Sequence, residues 1–400
     1  MNNISTRPGK RNKRWRPIIL ALILSTLLIG CGSTVSGTWP DLVVDGETVY
    51  LVSGQVFALQ ADTGTVLWNY PGAAQRSGGL LGGCSAPQAT DGPFTSAPAF
   101  DDAFVYIASA GERQKSIWGA GENKAGLRAL NQFGTLQWKF DGTTAPALAE
   151  PTLIGNTIYM ASSDHKVYAI SVETQGVRWT FETENWVWAT PLIVDETVYI
   201  ASMDHKLYAI NDETGLTEWT FDQSHSALPT APAYAAGVDG RGVLYQNTLD
   251  GYIYAIDAQN GSLIWKTKIE GSVWASPLVE GDTLYLGTLQ GIVYALSIQD
   301  GSTLWTQSVG GEVRSQPAFV DGWLYFGCED GKLYVFNADD GTKRASPLGD
   351  KVEKASIHTT PVYDGKHLYV VATDSTVYAL DLERNVIVWE KNPLTAQEEK

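Results

Sequence analysis

The residues of this 400-residue chain best suited to metal or nucleophilic chemistry are five histidines and three cysteines, and neither set is spaced for it. His165, His205, His225, His358 and His367 lack the short paired separations of a zinc site. His165 and His205 fall at equivalent points of neighbouring sequence units, which marks them as turn residues. Cys31, Cys84 and Cys328 include no adjacent pair, and there is neither a nucleophile elbow nor a phosphate-cradling glycine loop. Acidic residues fall mostly in turn sequences such as Asp339-Asp340-Gly341, where side-chain bonding to the local backbone accounts for them. One constellation remains, at the positions three residues before each of eight regularly placed prolines: Gly37, Thr95, Leu148, Trp188, Pro229, Trp274, Arg314 and His358. With Trp186 close by, Leu148, Trp188, Trp274, Arg314 and His358 make a candidate rim. Its aromatic, guanidinium and imidazole groups suit gripping a ligand or a partner's loop by stacking and hydrogen bonding. The alternative, that Trp188 and Trp274 plug a channel as core material, stays open at this level.

Such a rim exists only if the chain brings those positions into a ring. Self-similarity with a period of 40 to 46 residues runs from residue 40 to residue 392, with longer spacings near the second unit. Each unit opens with a proline, at 40, 98, 151, 191, 232, 277, 317 and 361, just before a short apolar run where a missing N–H is tolerated at a strand start. A second-strand tyrosine follows at 50, 106, 159, 199, 245, 285, 325 and 369. In six units another tyrosine comes nine residues later, across an Asp-His, Asp-Gly, Gln-Gly or similar hairpin turn, and the first unit has a shorter hairpin ending in Phe57. A turn glycine then precedes, by four residues, Trp68, Trp138, Trp179, Trp219, Trp265, Trp305 or Trp389. Gln175 and Asn385 replace the glycine in two units, and Ala345 stands where the seventh unit omits the tryptophan. A four-stranded unit cannot shield both its faces, so the units must stack. Strand-only repeats of this length close radially, and the spacing predicts an all-β, eight-bladed propeller over residues 40–392, with each tryptophan docked between blades and a short tail at 393–400.

Two insertions break the period. The link from Trp68 to Pro98 is about 18 residues longer than its counterpart from Trp179 to Pro191, and residues 110 to 126 lengthen the second-to-third-strand hairpin of blade 2. In a four-stranded blade those hairpins and the blade-to-blade links share one face, so both enlargements are expected beside the candidate rim, where long loops on a rigid scaffold carry binding surfaces.

Ahead of the repeats, residues 1–30 read as an export signal: six cations, no acid, then the apolar run Ile18 to Ile29, too short to span a bilayer as a helix. Leu28-Ile29-Gly30-Cys31 resembles the lipobox of bacterial lipoproteins, which implies lipidation of Cys31, a tether over 31–39 and an extracytoplasmic, membrane-anchored protein. Removal of the signal takes the formal net charge from −16 to −22, an acidic surface that argues against nucleic-acid partners. Cys84 and Cys328 are then left as a pair that an oxidising compartment permits to bridge.

The run Tyr-Ala-Ile-Asn-Asp-Glu-Thr-Gly-x-x-x-Trp at 208–219 and its cousins resemble the PQQ-like propeller repeat of quinoprotein alcohol dehydrogenases and of BamB-like outer-membrane assembly lipoproteins. The likeness covers essentially the whole mature chain. Its enzymatic branch implies a quinone cofactor sandwiched by adjacent cysteines beside a calcium ion, and this chain has no such cysteine pair. The expectation is therefore a non-enzymatic scaffold without quinone, calcium or other metal, whose partners are other membrane or exported proteins. The alternative is a quinone-dependent dehydrogenase or a small-ligand-binding propeller.

Overall fold

The computed structural model describes residues 40–71, 92–111, 113–116, 119–123, 125–236, 242–350, 352 and 355–395. The signal, Cys31 and its tether, Gly37, Cys84 with most of the first insertion, and residues 396–400 lie outside them. The described residues form eight four-stranded antiparallel sheets, with strands in sequence order across each sheet, and one two-stranded hairpin. Blade 4 is representative: Leu192–Val194, Thr197–Ala201, Leu207–Asn211 and Thr217–Phe221 run from the axis to the perimeter. The extra hairpin, Arg113–Ser116 with Gly119–Asn123, sits between the second and third strands of blade 2, where the second insertion was expected. Among the described residues no helix is long and apolar enough to cross a membrane.

Burial follows from stacking. The second and third strands are buried on both faces, as in Thr197–Ala201 and Leu207–Asn211, because each blade is covered by two neighbours. The core is accordingly eight interblade layers, each drawing buried side chains from two adjacent blades. Ala169, Trp179, Val198 and Ile210 meet between blades 3 and 4, and Leu51, Phe57, Tyr369 and Val371 between blades 1 and 8. Cys328 is fully buried in the layer between blades 6 and 7, and burial pushes its thiol up to about 12.

Indoles lock these layers. The N–H groups of Trp68, Trp179, Trp219, Trp265, Trp305 and Trp389 donate to a carbonyl in the turn after the third strand of the next blade, at 2.6 to 3.1 Å. In four seams the second-strand tyrosine of the same blade shares that acceptor: Tyr199 with Ala258, Tyr245 with Ile298, Tyr285 with Ala338 and Tyr369 with Ala61. The last of these closes the ring. Trp389 and Tyr369 of blade 8 both donate to Ala61 of blade 1, so closure repeats the ordinary seam and no strand is shared between the chain's ends.

Blade 7 departs from the sequence expectation. The position counted from its turn glycine is Ala345, but the docking slot is filled by Arg344. In the other seven blades a β-bulge skips one residue before the tryptophan, which pairs with a third-strand alanine; in blade 7 Phe336↔Lys343 and Val335↔Arg344 follow without a bulge. The missing bulge moves the inward-facing side chain back by one.

Candidate functional site

The segment entering each blade alternates with period two. Four and two residues before the opening proline the side chains pack outward: Val187, Leu228, Val273, Val313 and Ile357 are fully buried, and Ala189, Ala275 and Ser315 nearly so. Their backbone fixes the register, for the N–H groups of Val187, Leu228, Val313 and Ile357 each bond to the carbonyl of the residue just past the preceding blade's second strand. Three and one residues before the proline the side chains therefore turn to the axis.

The structure sorts the expected rim into two groups. Thr95, Trp274, Arg314 and His358 line one axial cavity of about 460 Å³. Glu150, Ser276 and Gln316 are shared with a second cavity of about 430 Å³ that also meets Thr190 and Tyr234, so the two adjoin, with Trp274 on the wall of the first. Leu148, Trp186 and Trp188 are not on the wall of either cavity. Leu148 is 38% exposed and Trp186 40%; Trp186 stacks on Trp188 with ring centroids 5.2 Å apart and planes 19° off parallel. Met203 N donates to Trp186 O at 2.9 Å, which ties the stacked pair to the blade 4 hairpin. Pro229 is buried and is not on the wall of either cavity.

Two ionisable channel residues were missed by considering only one axial position per blade. Glu150 stands one residue before Pro151, in the same axial parity, and Asp41 directly follows Pro40. Burial, with Asp41 nearby, pushes the Glu150 carboxyl up to about 8. Burial also raises Asp41, although Ala97 N and Leu42 N donate to it at 2.8 and 2.9 Å. Burial lowers His358 to about 4, with Arg314 reinforcing and Glu312 opposing the shift, and Arg314 is ion-paired to Glu312. At neutral pH the channel thus holds a mostly protonated Glu150 and a neutral imidazole.

This makes stability depend on pH in a definite direction. Folded Glu150 keeps its proton where the unfolded carboxyl, near 4.5, has lost it, so its contribution is present at acid pH and declines as pH rises towards about 8. Glu150→Gln is expected to melt like the parent near about pH 4 and to be more stable by roughly 2 to 4 kcal/mol near about pH 9. Urea titrations at both pH values check it, and an equal gain at both would contradict the assigned burial.

Among the described residues no group of three or more His, Cys, Asp or Glu is placed to hold a metal ion. His165 and His205 take φ of 70° and 74° at the hairpin position held by Gly251, Gly291 and Gly331 elsewhere, which makes them turn residues.

A family model described as outer membrane protein assembly factor BamB matches residues 123–248 and 230–398. No curated protein matches the chain. Among solved structures, the computationally designed Ika8 protein superposes with a TM-score of 0.69 at 15% identity, covering 86% of this chain and 96% of its own. BamB from Moraxella catarrhalis superposes with a TM-score of 0.64 at 18% identity, covering 84% of this chain and 92% of its own. At these identities the two structures speak for the fold.

Proposed function

This chain belongs to the family of the outer membrane protein assembly factor BamB, and from that membership we propose that it is a non-enzymatic, membrane-tethered docking platform for exported or membrane proteins in outer-membrane protein assembly. The observation that carries the reading is the exposed apolar rim of Leu148 and Trp186, the latter stacked on Trp188, on the loop face of a rigid ring. Exposed tryptophan backed by a second ring is the kind of anchor that dominates protein interfaces, and it stands on the face that also carries the blade 2 hairpin. The sequence lacks the adjacent cysteine pair that the quinoprotein resemblance implies for its cofactor, which supports work without one. Lipidation at Cys31, proposed from Leu28-Ile29-Gly30-Cys31, would hold the platform on the extracytoplasmic side of a membrane.

One experiment in intact membranes tests this. A photo-crosslinking residue at Trp186 is expected to capture an envelope protein. The same residue at Leu304, 55% exposed on the perimeter of blade 6, is expected not to. Cys31→Ser should shift the protein to the soluble fraction and reduce capture. Equal capture from both positions, or none from Trp186, would defeat the docking reading, and unchanged membrane fractionation of Cys31→Ser would remove the anchor.

A further inference from the structure

The seam between blades 7 and 8 differs from its seven sisters in chemistry and in filling. Where they place an indole, it places the Arg344 guanidinium, with its central carbon 3.9 Å from the Trp323 ring centroid and a hydrogen bond donated to the Tyr325 hydroxyl. Tyr325 is the counterpart of Tyr285 and Tyr369, which donate to the turn carbonyl of the next blade. The equivalent carbonyl here, that of Leu382, receives neither an indole nor a tyrosine among the described residues. A pocket of about 330 Å³ stays open beside it, lined by Arg344, Trp323, Tyr325, Tyr363 and Leu382. It lies among the first-to-second and third-to-fourth strand turns, on the face opposite the docking rim.

The charges around this pocket select a ligand class. Arg344 carries five N–H donors in a planar fork, held over an indole and steadied by one phenol, and it has no ion-pair partner among the described residues. A fork held this way suits a carboxylate. The other cation on the wall, Lys366, is already paired with Asp62 at 2.6 Å. Asp321 and Glu383 are exposed at the mouth, and Asp381 is occupied by Arg384 at 3.7 Å. A purely anionic ligand would meet those carboxylates on its way to Arg344, whereas a zwitterion offers them an ammonium while its carboxylate reaches the half-buried guanidinium. Trp323, Tyr363, Val320 and Leu382 supply apolar wall for a side chain, and the volume is at the small end of ligand sites.

We propose that the blade 7–8 seam binds a free α-amino acid with an apolar side chain, its carboxylate on Arg344 and its ammonium towards Asp321 and Glu383. The site is independent of the docking reading and stands or falls without it.

Calorimetry on the full chain tests it with three probes: L-phenylalanine, 3-phenylpropionate, which lacks the ammonium, and L-phenylalaninamide, which lacks the carboxylate. Phenylalanine is expected to bind saturably and each analogue at least roughly tenfold more weakly, since each loses one charge-assisted contact. Arg344→Gln should lower phenylalanine affinity by a similar factor. Because that substitution removes the seam's own stack, Glu383→Gln at the exposed mouth gives a second readout, in which phenylalanine binds more weakly and phenylpropionate more tightly. No saturable heat with millimolar phenylalanine would overturn the proposal. So would an amide that binds as well as the parent, or affinity unchanged in both variants.

Discussion

Trp219→Ala is expected to lower the free energy of unfolding by about 3 to 5 kcal/mol, the range for emptying a large aromatic site. Trp219 sits on a fourth strand whose neighbours Glu218 and Thr220 are exposed, yet its ring is half-buried against blade 5. One face of the indole covers Gly261, the Tyr199 ring lies 5.8 Å away, and its N–H donates to Ala258 O at 3.1 Å beside the Tyr199 hydroxyl at 3.0 Å. The substitution opens a cavity in the layer that holds Tyr199, Leu228, Leu244 and Tyr254, and it removes one of two donors to a single carbonyl. Trp219→Phe should retain most of the packing and lose about 1 kcal/mol with the hydrogen bond. The urea midpoint is the measurement. An alanine variant with the parent's midpoint would mean that the indole is ornamental and that the seams are held by the strands alone.

The features that were legible in the sequence are those that meet the same surroundings in six or more of the eight blades. Second-strand tyrosines, turn glycines and tryptophans each answer one repeated contact, so their period reveals both the blade and its docking. What the sequence hid are local departures from that register. Counting four residues from Gly341 lands on Ala345, and nothing in the residue types announces that the bulge is lost and that Arg344 turns inward. The paired third-strand residue did carry a signal, for Val335 replaces an alanine present in the other seven blades, and it became meaningful only once strand pairing was known. The channel shows the same limit. Leu148 and Trp188 share their position relative to the opening proline with Trp274 and Arg314, yet only the latter two line the axial cavity. Asp41 and Glu150 required the period-two parity of the entering segment to be followed down to the proline itself.

Gly261→Ala is expected to cost about 3 kcal/mol while Gly46→Ala costs about 1 kcal/mol, and the difference isolates the indole contact from the backbone. Both glycines have positive φ, 71° and 53°, so a side chain pays a similar left-handed penalty at either. A Cβ at Gly46 meets nothing within 4 Å, whereas at Gly261 it would stand 2.5 Å from Trp219 Cε3. The same close approach recurs at Gly64, Gly134, Gly215, Gly301 and Gly341, each against the tryptophan of the preceding blade. Blade 3 has already made the replacement. Gln175 occupies the turn with φ of 57°, and the tryptophan facing it, Trp138, is the one that lacks the indole-to-carbonyl bond among the described residues. Asn385 takes the turn facing Arg344, where there is no indole to accommodate. Gly261→Ala is expected to place a Cβ under the ring in the same way and to draw the indole off its acceptor. Gly261→Ala should weaken its seam through both strain and the Trp219 hydrogen bond, and paired urea titrations giving equal losses at residues 46 and 261 would show that the glycines serve the turn alone.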